Sequence, residues 1–237
     1  YAVSKGWGGI ENLSLIPGET GAAAVQNIGA YGVEIKDVIE SVEAWNQLTF
    51  EKHVFSVDEC EYAYRYSRFK AEGQDPYIVT YVTLRLSKHP VYKMEYGALQ
   101  KQLEQKEVSL QAIRDSVISI RQDKLPDPDK LGNAGSFFMN PVITKEHFER
   151  IRSAYPTVPS YPLEDGKIKV PAGWLIEQCG FKGKRHGDVG VYEKQALVLV
   201  NYGGATGDEI ALVAESIRMA VKERFDIDLL PEVKYIA

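Results

Sequence analysis

Two prolines, Pro126 and Pro128 in the stretch KLPDPDK, set the strongest limit on how this chain is built. The preceding residues 110–120 place Leu110, Ile113, Val117 and Ile120 on one helical stripe. Proline removes a backbone donor and restricts the residue before it, so that helix cannot run past this point. At 237 residues the chain is long enough for one large domain or two modest ones, and the proline stretch is the expected boundary.

The elements on either side do not repeat in a regular strand–helix rhythm. Residues 38–45 and 76–86 read as strands, with Ile78, Val82, Leu84 and Leu86 on one alternating face. Ser56 and Glu59 form an S-x-x-E capping box for a short helix between them. After the boundary, a helix follows Thr144 and carries Phe148, Ile151 and Tyr155. KIKVPAGWLIEQCG reads as a strand, a proline-started helix and a Gly180 cap. QALVLVNY is an apolar run suited to a buried strand. Thr206 and Glu209 cap a long helix bearing Ile210, Val213, Ile217 and Val221, and LLPEVKYIA closes the chain as a short extended tail. Interleaving of this kind predicts an α+β fold rather than a doubly wound sheet.

Composition excludes several classes of function. A net charge of −5, with the 14 tyrosines scattered away from basic runs, argues against a nucleic-acid surface. No apolar run reaches the length of a membrane span, and the first residues lack the basic start and apolar segment of a signal peptide. Cys60 and Cys179 have no C-x-x-C spacing, and His53, His89, His147 and His186 form no metal-ligand motif, so no metal site is expected. The default expectation is a cytoplasmic protein.

Four stretches carry candidate chemistry. In GNAGSFFMNP, Ser136 follows a pliable Asn-Ala-Gly turn and precedes two phenylalanines. It sits in no G-x-S-x-G elbow, and no histidine is placed by sequence to activate it as a nucleophile. Arg65, between tyrosines in YRYS, is either a surface or ion-paired arginine or a bidentate partner for a carboxylate or phosphate. Glu232 follows Pro231 in an apolar ending; it is either a solvated tail charge or a carboxyl kept protonated by its surroundings. Residues 6–35 are dense in glycine and alanine, which suits tight packing or close approach of a ligand, yet they hold neither G-x-G-x-x-G after a strand nor a P-loop.

Taken together, GIENLSLIPGETGAAAVQNIGAYGVEI, YRYSRFK, KLPDPDKLGNAGSFFMNP, PAGWLIEQCG, QALVLVN and LLPEVKYI resemble, in order and over essentially the whole chain, the UDP-N-acetylenolpyruvoylglucosamine reductase family. MEYGALQ and the helical insertion after it resemble the branch of that family with a tyrosine loop over the substrate. The resemblance implies an NADPH-dependent flavoenzyme (UDP-N-acetylmuramate dehydrogenase) that reduces the enolpyruvyl group of UDP-N-acetylglucosamine enolpyruvate in peptidoglycan synthesis. It implies Ser136 as proton donor, Arg65 as the residue polarising the substrate carboxylate, and Glu232 as support for the enolate. Tyr96, Lys124, Asn140 and Gln195 match the substrate-binding set. Pro17, Gly21, Ala22, Gly29 and Tyr31 match part of the FAD-binding surface. Met139 stands where family members often place lysine and receives no role.

The implied organisation is the remainder of an FAD-binding domain of the vanillyl-alcohol-oxidase type over residues 1–125, and an α+β substrate-binding domain over 126–232. Residues 233–237 are expected to form a tail returning toward a first lobe. The resemblance implies that this lobe, which carries the loop for the FAD pyrophosphate, belongs upstream of the residues present, so this polypeptide alone is expected to bind FAD weakly or not at all. The implied ligands are FAD, NADPH and a nucleotide sugar, with no nucleic acid, membrane insertion or obligatory protein partner. Two alternatives stay open: a nucleotide-sugar binding fragment without turnover, and another flavin oxidase on the same scaffold.

Overall fold

The helix with the Leu110–Ile120 stripe ends at Lys124, two residues before Pro126, and the chain divides into two compact units, Tyr1–Asp123 and Lys124–Ala237. The computed structural model describes residues 1–71 and 76–236; Ala237, the end of the expected tail, lies outside them. The architecture is α+β. Among the described residues no helix is long and apolar enough to cross a membrane.

In the first unit, β3 (Ile39–Asn46) is flanked by β4 (Lys52–Ser56) and β5 (Tyr77–Leu84) in an antiparallel sheet. Ahead of it come α1 (Thr20–Gln26), β1 (Gly29–Ala30) and β2 (Val33–Glu34). Ile39, Val42, Ala44 and Phe55 face a core completed by Leu13, Ala24, Val33, Ile35 and Cys60. The expected alternating face of β5 holds only in part. Val82 and Leu84 pack on the core, but so do Tyr77 and Val79, while Ile78 points outward at 55% exposure. The cause is a β-bulge: Tyr81 pairs with Glu43 and Val79 with Ala44, which leaves Thr80 as an extra residue. One extra residue reverses the side-chain parity of everything before it.

The Ser56–Glu59 capping box forms, with the Glu59 carboxylate accepting from the Ser56 N–H at 2.8 Å, but it opens only one 3₁₀ turn, Asp58–Cys60. Helices α2 (Gly97–Leu103) and α3 (Leu110–Lys124) build a second cluster from Leu99, Leu103, Ile113, Val117 and Ile120. The predicted stripe is the one buried.

The second unit holds the four-stranded antiparallel sheet β10-β11-β12-β6, formed by β6 (Gly132–Ser136), β10 (Arg185–His186), β11 (Val189–Val191) and β12 (Val198–Asn201). A smaller sheet joins β7 (Val142–Ile143), β8 (Tyr161–Pro162) and β9 (Ile168–Lys169). Helices α4 (Lys145–Ala154), α5 (Ala172–Gln178) and α6 (Gly207–Phe225) complete it. Val198, Leu199 and Val200 are all buried, as a continuous apolar run requires. On α6 the buried line is Ala214, Ile217, Val221 and Phe225, with Ile210 and Val213 only flanking the core. Ala214, fully buried and too small to stand out by hydrophobicity, moves the buried face away from Val213.

Candidate active site

In the second unit the site grows from β6. Asn-Ala-Gly is not a free turn before Ser136; it is the body of an edge strand paired with β12, Asn133 opposite Val200 and Ser136 opposite Val198. Beyond Ser136 the chain is held on both sides. Phe137 donates its N–H to the Leu197 carbonyl at 2.7 Å, while its own carbonyl accepts the Glu232 N–H at 2.8 Å. Phe138 bridges to Pro231, and the Met139 N–H bonds the Leu230 carbonyl at 2.9 Å. The chain ending therefore lies as an added strand along residues 137–139. Phe137 and Phe138 are buried in the core, and the Tyr235 ring stands edge-on to Phe137 at 6.2 Å. Ser136 is the exposed residue at the margin of this anchored run.

Two other predicted residues meet at the first turn of α5. The Asn140 side-chain oxygen accepts the Ala172 N–H at 2.9 Å. Gln195 lies beside Gly173, where an added Cβ would stand 3.1 Å from its Oε1. Lys124, by contrast, is exposed at the last residue of α3.

In the first unit Arg65 occupies a two-residue turn closed by mutual hydrogen bonds of 3.1 Å between Ala63 and Tyr66. Its φ of 55° is left-handed, a conformation that disfavours side chains other than glycine, asparagine and aspartate. The guanidinium donates to the Gly29 carbonyl at 2.8 Å and to the Asn27 carbonyl at 3.4 Å, and lies over the Tyr64 ring at 5.3 Å. The backbone is close here: a Cβ added to Gly29 would sit 3.0 Å from the Arg65 Nη1 and 3.1 Å from the Val33 carbonyl oxygen, so a side chain there would require its neighbours to give way. Asn27, absent from the sequence-based candidates, is fully buried and braces the turn by donating to the Ala63 carbonyl at 2.8 Å. Its signal was an asparagine just past an alanine-rich helix, a common C-terminal cap.

Tyr31 and Gly32 join β1 to β2, both at positive φ. The Tyr31 ring meets Tyr96 edge-on at 5.5 Å. Burial raises the Tyr31 phenol pKa, and nearby Arg121 opposes that shift. Arg121 is itself lowered by burial; its Nε donates to the Leu15 carbonyl at 3.1 Å, and among the described residues no carboxylate pairs with it. Asn12 ties this corner together through 2.9 Å and 2.8 Å bonds to the carbonyls of Tyr31 and Lys93, while its buried Oδ1 has no partner among the described residues. Pro17, Gly21 and Ala22 lie apart from it, around the start of α1, with Pro17 and Ala22 exposed.

Comparison with known proteins agrees across the full length. Residues 127–236 match the family described as UDP-N-acetylenolpyruvoylglucosamine reductase, C-terminal domain. A relative of that name from Porphyromonas gingivalis is 57% identical over 238 residues, covering 100% of this chain and 70% of the relative. Another from Bacteroides fragilis is 50% identical, covering 100% and 71% respectively. The crystal structure of the Thermus caldophilus enzyme shares the fold at a TM-score of 0.66 and 24% identity, over 98% of this chain and 66% of that one. A chain with half or more of its residues identical to these relatives over its whole span belongs to the UDP-N-acetylenolpyruvoylglucosamine reductase family.

Proposed function

We propose that this chain carries out, within its complete protein, the reduction of UDP-N-acetylglucosamine enolpyruvate to UDP-N-acetylmuramate, with NADPH as electron source and FAD as carrier. The first unit is assigned to the flavin, apart from Arg65 and Tyr96, which are given to the substrate, and the second to the nucleotide sugar, in a cytoplasmic step of peptidoglycan synthesis. Besides family membership, one observation supports the reading. Ser136 and Glu232, 96 positions apart, flank the same residue, because Phe137 bonds Leu197, the residue before β12, through its N–H and the chain ending through its carbonyl.

The first unit fits an anionic, aromatic-ringed cofactor. Arg121, half-buried and without a carboxylate partner among the described residues, Asn12 Oδ1, without a hydrogen-bond partner among them, and the Tyr31 ring supply charge, an acceptor and a ring surface. Tyr31, Gly29, Pro17, Gly21 and Ala22 would hold it. When bound, FAD supplies a hydride from NADPH to the terminal methylene carbon of the enolpyruvyl group. Ser136 Oγ–H then donates its proton to the neighbouring carbon, which bears the ether oxygen and the carboxylate, and takes a proton back from solvent. Serine is a weak acid in water, so its value here lies in placement beside a strongly basic carbanion. Arg65 binds the substrate carboxylate and draws off developing negative charge, and Glu232 supports the enolate. Tyr96, Lys124, Asn140 and Gln195 contact the nucleotide sugar, and Phe137 and Phe138 anchor the Ser136 backbone.

The test separates the two half-reactions in the flavin-loaded enzyme. Ser136→Ala is expected to leave flavin reduction by NADPH within about twofold and to slow reoxidation by the enolpyruvyl substrate about 10²–10⁴-fold, the usual contribution of a positioned proton donor. In deuterated water the wild type is expected to place one solvent deuteron at the new stereocentre. Equal survival of both half-reactions in Ser136→Ala removes the serine from this role.

A further inference from the structure

The pairing of β6 with β12 contains one residue too many. Between the pairs Asn133–Val200 and Ser136–Val198 there are three steps along β6 and two along β12. In an uninterrupted antiparallel ladder Gly135 would face Val198, and Ser136 would project from the opposite side of the strand. The extra residue makes a β-bulge, a device that re-aims a side chain, and its left-handed position is Gly135, at φ 72°. Asn133 clamps the bulge from within. Its Oδ1 accepts the Gly135 N–H at 3.0 Å, and its Nδ2 donates to the Leu131 carbonyl at 2.8 Å.

We infer that Asn133 and Gly135 are positioning residues for Ser136, setting the direction of its hydroxyl through a clamped bulge. This rests on the proton-donor reading above and extends it to residues that need not touch the substrate. An added Cβ on Gly135 would meet nothing within 4 Å beyond its chain neighbours, so an alanine there makes no steric clash with the rest of the fold and bears on the backbone conformation. Alanine opposes the left-handed region and asparagine tolerates it, although both add a Cβ, which gives a pair of variants that separates backbone conformation from the mere presence of a side chain.

The experiment measures both half-reactions of the flavin-loaded enzyme by stopped flow. Asn133→Ala and Gly135→Ala are expected to slow reoxidation by the enolpyruvyl substrate at least tenfold, with flavin reduction by NADPH within twofold of wild type. Asn133→Asp keeps the acceptor oxygen and Gly135→Asn keeps the left-handed turn; each is expected to recover most of the loss. A readout independent of cofactor and substrate is exchange of the Gly135 amide hydrogen, expected at least tenfold faster in Asn133→Ala than in wild type or Asn133→Asp. The inference is overturned if the alanine variants reoxidise at the wild-type rate, or if the rescuing variants are no faster than the alanine ones. A slow Ser136→Ala beside a fast Asn133→Ala defeats the positioning role alone, whereas a fast Ser136→Ala defeats the proton-donor reading and this inference with it.

Discussion

Cys60 gives the first unit a measurable dependence on alkaline pH. Its thiol is fully buried, and desolvation pushes its pKa up to about 11 from an ordinary 9.0, with the neighbouring Tyr62 and the charge of Arg68 opposing the shift. The folded chain then holds a proton that the unfolded chain releases between those values, so stability is full below pH 9 and falls as pH rises toward 11. A shift of that size corresponds to roughly 2–3 kcal/mol across the whole window. Denaturant midpoints between pH 8.5 and 10 are expected to fall in wild type and to fall less steeply in Cys60→Ala, where the half-buried Tyr31, Tyr62 and Cys179, also raised by burial, keep part of the slope; parallel slopes would remove Cys60 as a cause. Sequence alone marked Cys60 only as a cysteine without a partner cysteine. Its burial comes from the Asp58–Cys60 turn joining the core that holds Ile39, Val42, Ala44 and Phe55, which no local pattern encodes.

Helix α6 shows how far local rules reach at the level of an element. Its start was readable from Thr206 and Glu209, and the capping box forms as expected. The Glu209 carboxylate accepts the Thr206 N–H at 2.7 Å, and the Thr206 oxygen accepts the Glu209 N–H at 3.3 Å. Thr206→Ala is expected to cost about 1 kcal/mol, read as a lowered thermal midpoint with unchanged helical circular dichroism at 20 °C or below. The buried line of the helix was less legible, because Ala214 lies at the centre of its buried face and Val213 does not. Strand β5 makes the same point more sharply. The alternation was correct from Val82 onward and reversed before it, because the Thr80 bulge is set by pairing with β3 rather than by anything in residues 76–86.

At the scale of the whole molecule, the core residues of the second unit are drawn from Phe137 to Leu229, and those of the first from Leu13 to Ile120. Ile217→Ala, at a fully buried position, is expected to destabilise the second unit by about 2–5 kcal/mol. Hydrogen exchange is expected to accelerate at Val198–Val200 far more than at Val42 and Ala44; equal acceleration would show one cooperative core. Several facts followed from the order of residues alone: the helix stop before Pro126, the caps, the apolar run of β12, the α+β class, and a set of motifs pointing to one enzyme family. These depend on neighbours within a few residues, or on whole segments recurring in order. Tertiary structure decided the rest. It placed Glu232 beside Phe137, set Asn27 beneath the Arg65 turn, and turned a lead-in that reads as pliable into a bulged strand that aims Ser136. Register and burial arise when distant strands share hydrogen bonds and exclude water together, so a bulge is a property of two strands, and only one of them is present in any local reading.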